Sequence, residues 1–394
     1  MAMKSRFHSE ISRPRENQVA QSLLRVFLVL AFAATSQPQT PPAADTLVSP
    51  EIHADRTVSF RIRAPKASEV GLFGDWMPIG KLEPLTKGSD GVWSVTTGPI
   101  DATGHLYTFN VDGVTMTDPI NPKVKLRQRT SASLIEVPAD PPAAWSARDV
   151  PHGSVVTEWQ KSAVLGRTER MLIYLPPGYQ KSSARFPVLY LVHGNGDVPE
   201  SWTNAGNANL ILDNLIADKS ARPMIVVMPA GHAAPYGPAG RGQNNTELFD
   251  QYLVKDLIPF VESQYRVSAG KQNRALAGLS MGGGLTINVG FSHLDLFSAL
   301  GIFSPAIPRD FETKYKAALD DPKGTNAKLS LVWIACGDQD NTVQYPRVKQ
   351  FAELLDKHQV HETFRTVEGG AHVWPVWRVC LTEFAPLLFK NTNR

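Results

Sequence analysis

The chain has 394 residues, with 40 Lys and Arg against 37 Asp and Glu and a formal net charge of +3. That length favours two domains and allows a sizeable core. The charge excess lies in residues 1–33, where Lys4, Arg6, Arg13, Arg15 and Arg25 face only Glu10 and Glu16. The remainder is near neutral and lacks the basic face that nucleic acid requires.

Residues 1–34 read as a signal peptide: a basic start, an apolar run Val26 to Ala34, and small residues Ala31 and Ala33 before a cleavage point near Thr35. The apolar run is far short of the roughly 20 residues that span a bilayer, so export without a membrane anchor is expected. Residues 35–47 (SQPQTPPAAD and its flanks) form a Pro-rich spacer. From Thr57 to Val137, short alternating runs (TVSFRIRAP, EVGLFGDW, GVWSVTTG, HLYTFNVDG, SASLIEVP) are separated by Gly, Pro and Asp turns. This pattern predicts a small all-β, immunoglobulin-like sandwich over residues 48–138. PADPPAAW, Pro138 to Trp145, opens a linker over 139–150, and its proline density predicts that few contacts cross it.

Beyond the linker, strands alternate with helices. RMLIYLPPGY, FPVLYLVHG, PMIVVMPAG, RALAGLS and LSLVWIACG read as strands, while FDQYLVKDLIPFVESQY and VKQFAELLDKH carry helical spacing. Residues 151–394 are therefore expected to form a doubly wound, mostly parallel α/β sheet covered by helices.

Gly278-Leu279-Ser280-Met281-Gly282 is a G-x-S-x-G motif between a predicted strand and a predicted helix. A serine at such a turn takes a strained backbone, and its neighbours must be glycine to avoid collision. Ser280 is the expected nucleophile. Its base should be His372 in EGGAHVWPVW, where a strand ends in a Gly-rich loop. His358 and His361 flank a helix end, His8 belongs to the leader, and His193 reads as a residue that braces its loop. The orienting acid should follow LSLVWIACG, which offers Asp338 and Asp340. Asp340 is preferred, because the longer reach lets the loop turn back toward His372. The oxyanion donors are expected to be the backbone N–H groups of Met281 and Asn195. Trp202 and Trp374 are the substrate-binding candidates, with packing of one loop on another as their alternative role. Cys336 and Cys380 can pair in an exported chain or stay as buried thiols, and they form no metal-ligand spacing. No metal or cofactor is expected.

RMLIYLPPGY, PVLYLVHGNGD, LIPFVESQYRV, RALAGLSMGGG, FSALGIFSPAI, IACGDQD and GGAHVW, in this order between Val164 and Phe389, resemble the esterase D family of α/β-hydrolases, most closely carbohydrate esterase family one. In its feruloyl esterases the acid stands three positions after the glycine of C-G-x-x-D, which here is Asp340 after Gly337. The front segment is similar to a family forty-eight carbohydrate-binding module or early-set domain through VGLFGDWMP, DGVWSVTTG, YTFNVDG and TDPINP. The resemblance implies a secreted or periplasmic serine carboxylesterase releasing hydroxycinnamate, such as ferulate, from plant cell-wall polysaccharide. Alternatives are an acetylxylan esterase, a siderophore trilactone esterase, and a non-catalytic polysaccharide-binding protein. The near-neutral mature sequence, with no evident basic cluster, argues against an anionic ferric chelate.

Overall fold

In the computed structural model, residues 46–78, 80–240 and 243–390 are described. The expected signal peptide and nearly all of the spacer lie outside them.

The alternating runs of the front segment pair into two antiparallel sheets. One joins Glu51–Ile52, Val58–Arg63, Val92–Thr97 and Thr86–Lys87, and the other joins Glu83–Pro84, Val70–Gly74, Gly104–Val111, Ala132–Glu136 and Val124–Lys125, with Val114–Met116 alongside Gly104–Val111. Val58, Phe60, Ile62, Leu72, Tyr107 and Phe109 fill the space between them. Trp93 belongs to this core, where its indole N–H donates to Ala64 O at 2.9 Å. Trp76 stacks on Phe60 with ring centroids 5.9 Å apart.

Two strands of the second sheet are apolar on both faces, and that decides how the front segment is held. Side chains alternate across a strand. Tyr107 and Phe109 enter the sandwich core, while Leu106 joins a different core together with Ala132 and Leu134. That second core is built mainly by the helical segment, including Trp374, Trp377, Leu381 and Phe384. The contact between the two parts is therefore continuous apolar packing. It is stitched by polar bonds: Arg378 is 1% exposed and donates to both carboxylate oxygens of Glu136 at 2.8 and 3.1 Å. The linker is also docked, because Asn214 Nδ2 donates to Ala144 O and Ser146 O, and Trp145 packs on the shared core. The expectation that few contacts cross this linker is overturned. The described residues from Leu47 onward form one compact body.

The second part carries an eight-stranded sheet in the spatial order Ser154–Ser162, Arg167–Leu175, Ile225–Met228, Val188–Val192, Arg274–Leu279, Ala299–Phe303, Leu331–Gly337, Thr363–Val367. The first two strands run antiparallel to their neighbours, and the rest are parallel. Strands Val188–Val192 and Ala299–Phe303 are buried along their whole length, as a sheet covered on both faces requires. The predicted helix over FDQYLVKDLIPFVESQY is present as Asn245–Tyr252 and Ile258–Gln264, joined by a π-helical turn Leu253–Leu257. Pro259 follows that turn and has no N–H to donate backward, so a widened turn accommodates it. This is an α/β-hydrolase fold preceded by an all-β segment. No helix among the described residues is long and apolar enough to cross a membrane.

Candidate active site

Strand Arg274–Leu279 is central in the sheet and hands over at Ser280 to helix Met281–Ser292. Ser280 has φ 54° and ψ −114°, a conformation that costs a non-glycine residue about 1–3 kcal/mol. The cost is met by bonds that fix the turn: Ser280 N–H donates to Phe303 O at 2.8 Å, and Ser280 O accepts from Gly284 and Ala306. The neighbouring glycines are required by space. A Cβ at Gly278 would lie 2.4 Å from the Gly282 carbonyl, and one at Gly282 would lie 2.5 Å from Val192 O. A Cβ at Gly283 would meet Pro305 at 2.9 Å, and one at Gly284 would meet Ala306 O at 2.5 Å.

His372 follows strand Thr363–Val367 through Gly369 and Gly370. Two backbone bonds clamp its loop to the one after Leu331–Gly337: Asp338 N–H donates to Val367 O at 3.2 Å and Gln339 N–H to Gly370 O at 2.9 Å. A Cβ at Gly337 would meet Gly370 O at 2.0 Å, so only glycine permits this approach. With Asp338 and Gln339 spent on the clamp, the next residue turns inward. Asp340 is 1% exposed, and its Oδ2 accepts from His372 Nδ1 at 2.7 Å while Oδ1 accepts from the N–H groups of Thr342 and Val343. His372 Nε2 lies 3.0 Å from Ser280 Oγ. Burial pushes the Asp340 carboxyl upward, but the hydrogen bond and charge of His372, with the Val343 N–H, outweigh it and hold its pKa below the usual value. The Asp338 carboxylate instead accepts from the Gln339 side chain at 3.3 Å.

The two residues expected to supply the oxyanion donors line one cavity. Met281 is the first residue of its helix, so its N–H belongs to the turn that a helix leaves without internal acceptors. Asn195 lies in the loop after Val188–Val192, where Gly194 approaches closely enough that an added Cβ would sit 3.4 Å from Ser280 Cβ. Asn195, Met281 and Ser280 all line a cavity of about 520 Å³. His193 braces this loop as expected: Gly231 N–H donates to its Nε2, which leaves Nδ1–H to donate to Gly194 O. Burial depresses its pKa and keeps it neutral.

A second cavity of about 440 Å³ meets Ser280 from the His372 side. Trp374 lines it, as expected. Trp202 does not: it is fully buried behind Trp374, edge to face at 5.3 Å, and packs on Phe303. Its loop folds into a helical turn, Ser201–Asn204, that carries the indole into the core. Trp377, which the sequence reading missed, packs against His372 with ring centroids 5.0 Å apart and the ring planes at 86°. Its signal was WPVW, two tryptophans three apart at a helix start.

The larger omission lies in the front segment. Asp75, Lys125, Arg127, Arg129 and Thr130 line the His372-side cavity. Lys125 is 1% exposed, pairs with Asp197, and holds Nζ 5.5 Å from the Trp374 ring centroid. Burial, with Arg127 nearby, lowers its pKa against the pull of Asp197. Arg129 stands over Tyr236 at 5.4 Å. The alternating basic run KVKLRQR is thus a local cluster that near-neutral overall charge concealed. Cys336 and Cys380 are buried free thiols, the former pushed up to about 12 by burial and the nearby Asp340. Among the described residues, no group of three or more His, Cys, Asp or Glu is placed to hold a metal.

Residues 162–388 match the model of a family described as putative esterase. The chain belongs to this esterase family. Among its relatives, an endo-1,4-beta-xylanase/feruloyl esterase of Xylanibacter ruminicola is 34% identical over 353 residues, covering 86% of this chain and 46% of that protein. The chain spans about half the length of the curated relatives it matches first. A family-one (CE1) ferulic acid esterase from Anaeromyces mucronatus, solved with ferulic acid, superposes with a TM-score of 0.55 at 23% identity over 62% of this chain and 93% of its own. The enterobactin esterase of Shigella flexneri, solved with enterobactin, gives 0.63 at 18% identity over 84% of this chain and 92% of its own. These two structures speak to the fold. Because residues 151–394 are under two thirds of this esterase, the second match extends into its front segment.

Proposed function

We propose that this esterase is an exported serine carboxylesterase that cleaves hydroxycinnamate esters, such as those of ferulate, on plant cell-wall polysaccharide. The observation that carries the chemistry is the unbroken chain from Ser280 Oγ through both nitrogens of His372 to buried Asp340. In this reading Ser280 Oγ bonds to the ester carbonyl carbon and its proton passes to His372 Nε2. Asp340 fixes the tautomer and stabilises the imidazolium. The carbonyl oxygen gains charge opposite the N–H groups of Met281 and Asn195. The bond to the alcohol oxygen then breaks, and His372 gives that oxygen its proton. Water, deprotonated by His372, releases the acid from the acyl-enzyme and restores Ser280.

The ferulate assignment rests on the relative that covers 86% of this chain and on the family resemblance. A second reading, hydrolysis of a siderophore trilactone, is favoured by the basic cluster Lys125, Arg127 and Arg129 beside the site. One panel tests both: methyl ferulate, acetylated xylo-oligosaccharide and a catecholate trilactone, with kcat/KM measured on each. Highest kcat/KM on methyl ferulate is expected, and a preference of tenfold or more for the trilactone would replace the first reading. Ser280→Ala should stay folded and lose roughly 10⁴-fold or more of its activity. A folded variant keeping a tenth of wild-type turnover removes Ser280 from the mechanism.

A further inference from the structure

Two cavities meet at Ser280, and the chemistry assigns the two halves of an ester to them. The proton that His372 takes from the serine must be handed to the departing alkoxide, so the alcohol oxygen has to come within hydrogen-bond reach of Nε2. His372 lines the 440 Å³ cavity. In the other cavity Met281, Leu285, Ala306 and Pro308 provide an apolar side that suits an acyl group, beside a polar side that includes Asn288, Asp310 and Lys314. The alcohol half therefore lies on the His372 side, where the wall is the front β-segment.

That wall continues outward. A groove of about 450 Å³ on the front sheets, with Phe73, Lys81, Tyr107 and Asn110 in its lining, shares Asp75, Leu106, Arg127 and Thr130 with the His372-side cavity. The two are one channel running from the catalytic serine across the front segment, with Arg127 at the junction. Its charge is unbalanced. Lys125 is answered by Asp197, and Asp75 is engaged by His105 Nδ1 and the Leu106 N–H. Arg127 and Arg129 are exposed, and neither has a carboxylate partner among the described residues.

We infer that the front β-segment forms the alcohol-side binding channel of this esterase, and that Arg127 and Arg129 select an ester whose alcohol portion is an oligosaccharide bearing a carboxylate. This rests on the esterase reading above and names its substrate class more closely. Arg127 at the junction and Arg129 in the wall of the His372-side cavity attract a carboxylate on a sugar unit beyond the scissile bond, and the two joined cavities of about 440 and 450 Å³ leave room for more than one unit.

The test compares two feruloylated xylo-oligosaccharides, one neutral and one carrying a glucuronate, and repeats the comparison with the matching acetylated pair. In low salt the wild-type enzyme is expected to favour the acidic ester by about tenfold in kcat/KM, the combined effect of two partly exposed charge contacts. The ratio should fall toward one in Arg127→Gln/Arg129→Gln and in high salt, and should persist in Arg127→Lys/Arg129→Lys. A wild-type ratio at or below one, or a folded Gln variant that keeps the wild-type ratio, overturns the inference. Turnover of the acetyl pair alone, with the same acidic preference, sinks the ferulate reading and supports the channel.

Discussion

Asn at position 340 is the most informative single change, because Asp338 two residues away provides an internal control. Asp340 is 1% exposed and accepts from His372 Nδ1 at 2.7 Å, from the backbone N–H groups of Thr342 and Val343, and from the Cys336 thiol at 3.8 Å. Asp340→Asn keeps the volume, and its carbonyl oxygen can still take the backbone bonds. Its amide then points N–H toward His372, which favours the tautomer with the proton on Nε2, the atom that must accept the serine proton. The developing imidazolium also loses its carboxylate contact at hydrogen-bond distance. In a serine protease of another fold the equivalent substitution lowers kcat about 10⁴-fold, equivalent to roughly 5.5 kcal/mol of transition-state stabilisation at about 1.4 kcal/mol per decade. Asp338 contributes its N–H to the clamp, and among the described residues its carboxylate bonds only to the Gln339 side chain, so Asp338→Asn should change kcat less than about threefold. Both variants would be assayed on a soluble ester after thermal melts establish that they are folded. Equal losses, or a larger loss at 338, would refute the assignment of the acid.

Glu136→Gln leaves the Arg378 guanidinium buried without its counter-charge, and because the Glu136 side chain is 38% exposed the cost should fall below the roughly 3–5 kcal/mol of fully buried pairs, at about 2 kcal/mol by urea denaturation. A cost under about 0.5 kcal/mol would mean that water already compensates the arginine. His232 accepts from Gly196 N–H through Nε2, and burial, with His193 nearby, lowers its pKa to about 4. A histidine depressed in the folded state binds fewer protons than in the unfolded chain, so stability is retained above pH 6.5 and lost as pH falls toward 4. After discounting for partial exposure the loss is about 1–2 kcal/mol, and His232→Asn should flatten that part of the stability profile. The Ala147 to Arg394 fragment exposes Arg378, Trp374 and Asp197 at once. It should either fail a cooperative melt or lose at least a hundredfold in kcat/KM on methyl ferulate, and a folded fragment with near wild-type activity would contradict the shared core.

What was legible in the sequence followed from local rules. The elbow could be read because its backbone strain admits few residue types, and Gly278, Gly282, Gly283 and Gly284 each stand where a Cβ would collide with backbone or proline. The sheet was legible because strands buried on both faces leave continuous apolar runs. Asp340 was harder: composition allowed either aspartate, and the decision rests on backbone bonds from Asp338 and Gln339 to the His372 loop, a contact between segments about 30 residues apart. Trp202 was misplaced for a related reason. A tryptophan in a predicted loop reads as surface until the loop winds into a helical turn, and nothing local to SWTN signals where that turn points.

The front segment shows how composition alone can mislead about a site. Proline density at 138–145 describes the chain's stiffness there, and it says nothing about what the flanking surfaces do. The relevant signal was in HLYTF and SASLI, where apolar residues occupy both faces of a strand. A sandwich strand needs only one apolar face, so the second must be covered by something else, and here it is the helix Trp374–Phe384 that begins two residues after His372. Covering that face brings Val124–Lys125 and the residues after it against the catalytic loop. The basic run KVKLRQR then becomes one wall of the cavity holding Ser280 and His372. Packing that stabilises the front segment and placement of charge beside the nucleophile are thus consequences of the same interface, so substitutions that loosen Leu106 or Leu134 should disturb both together.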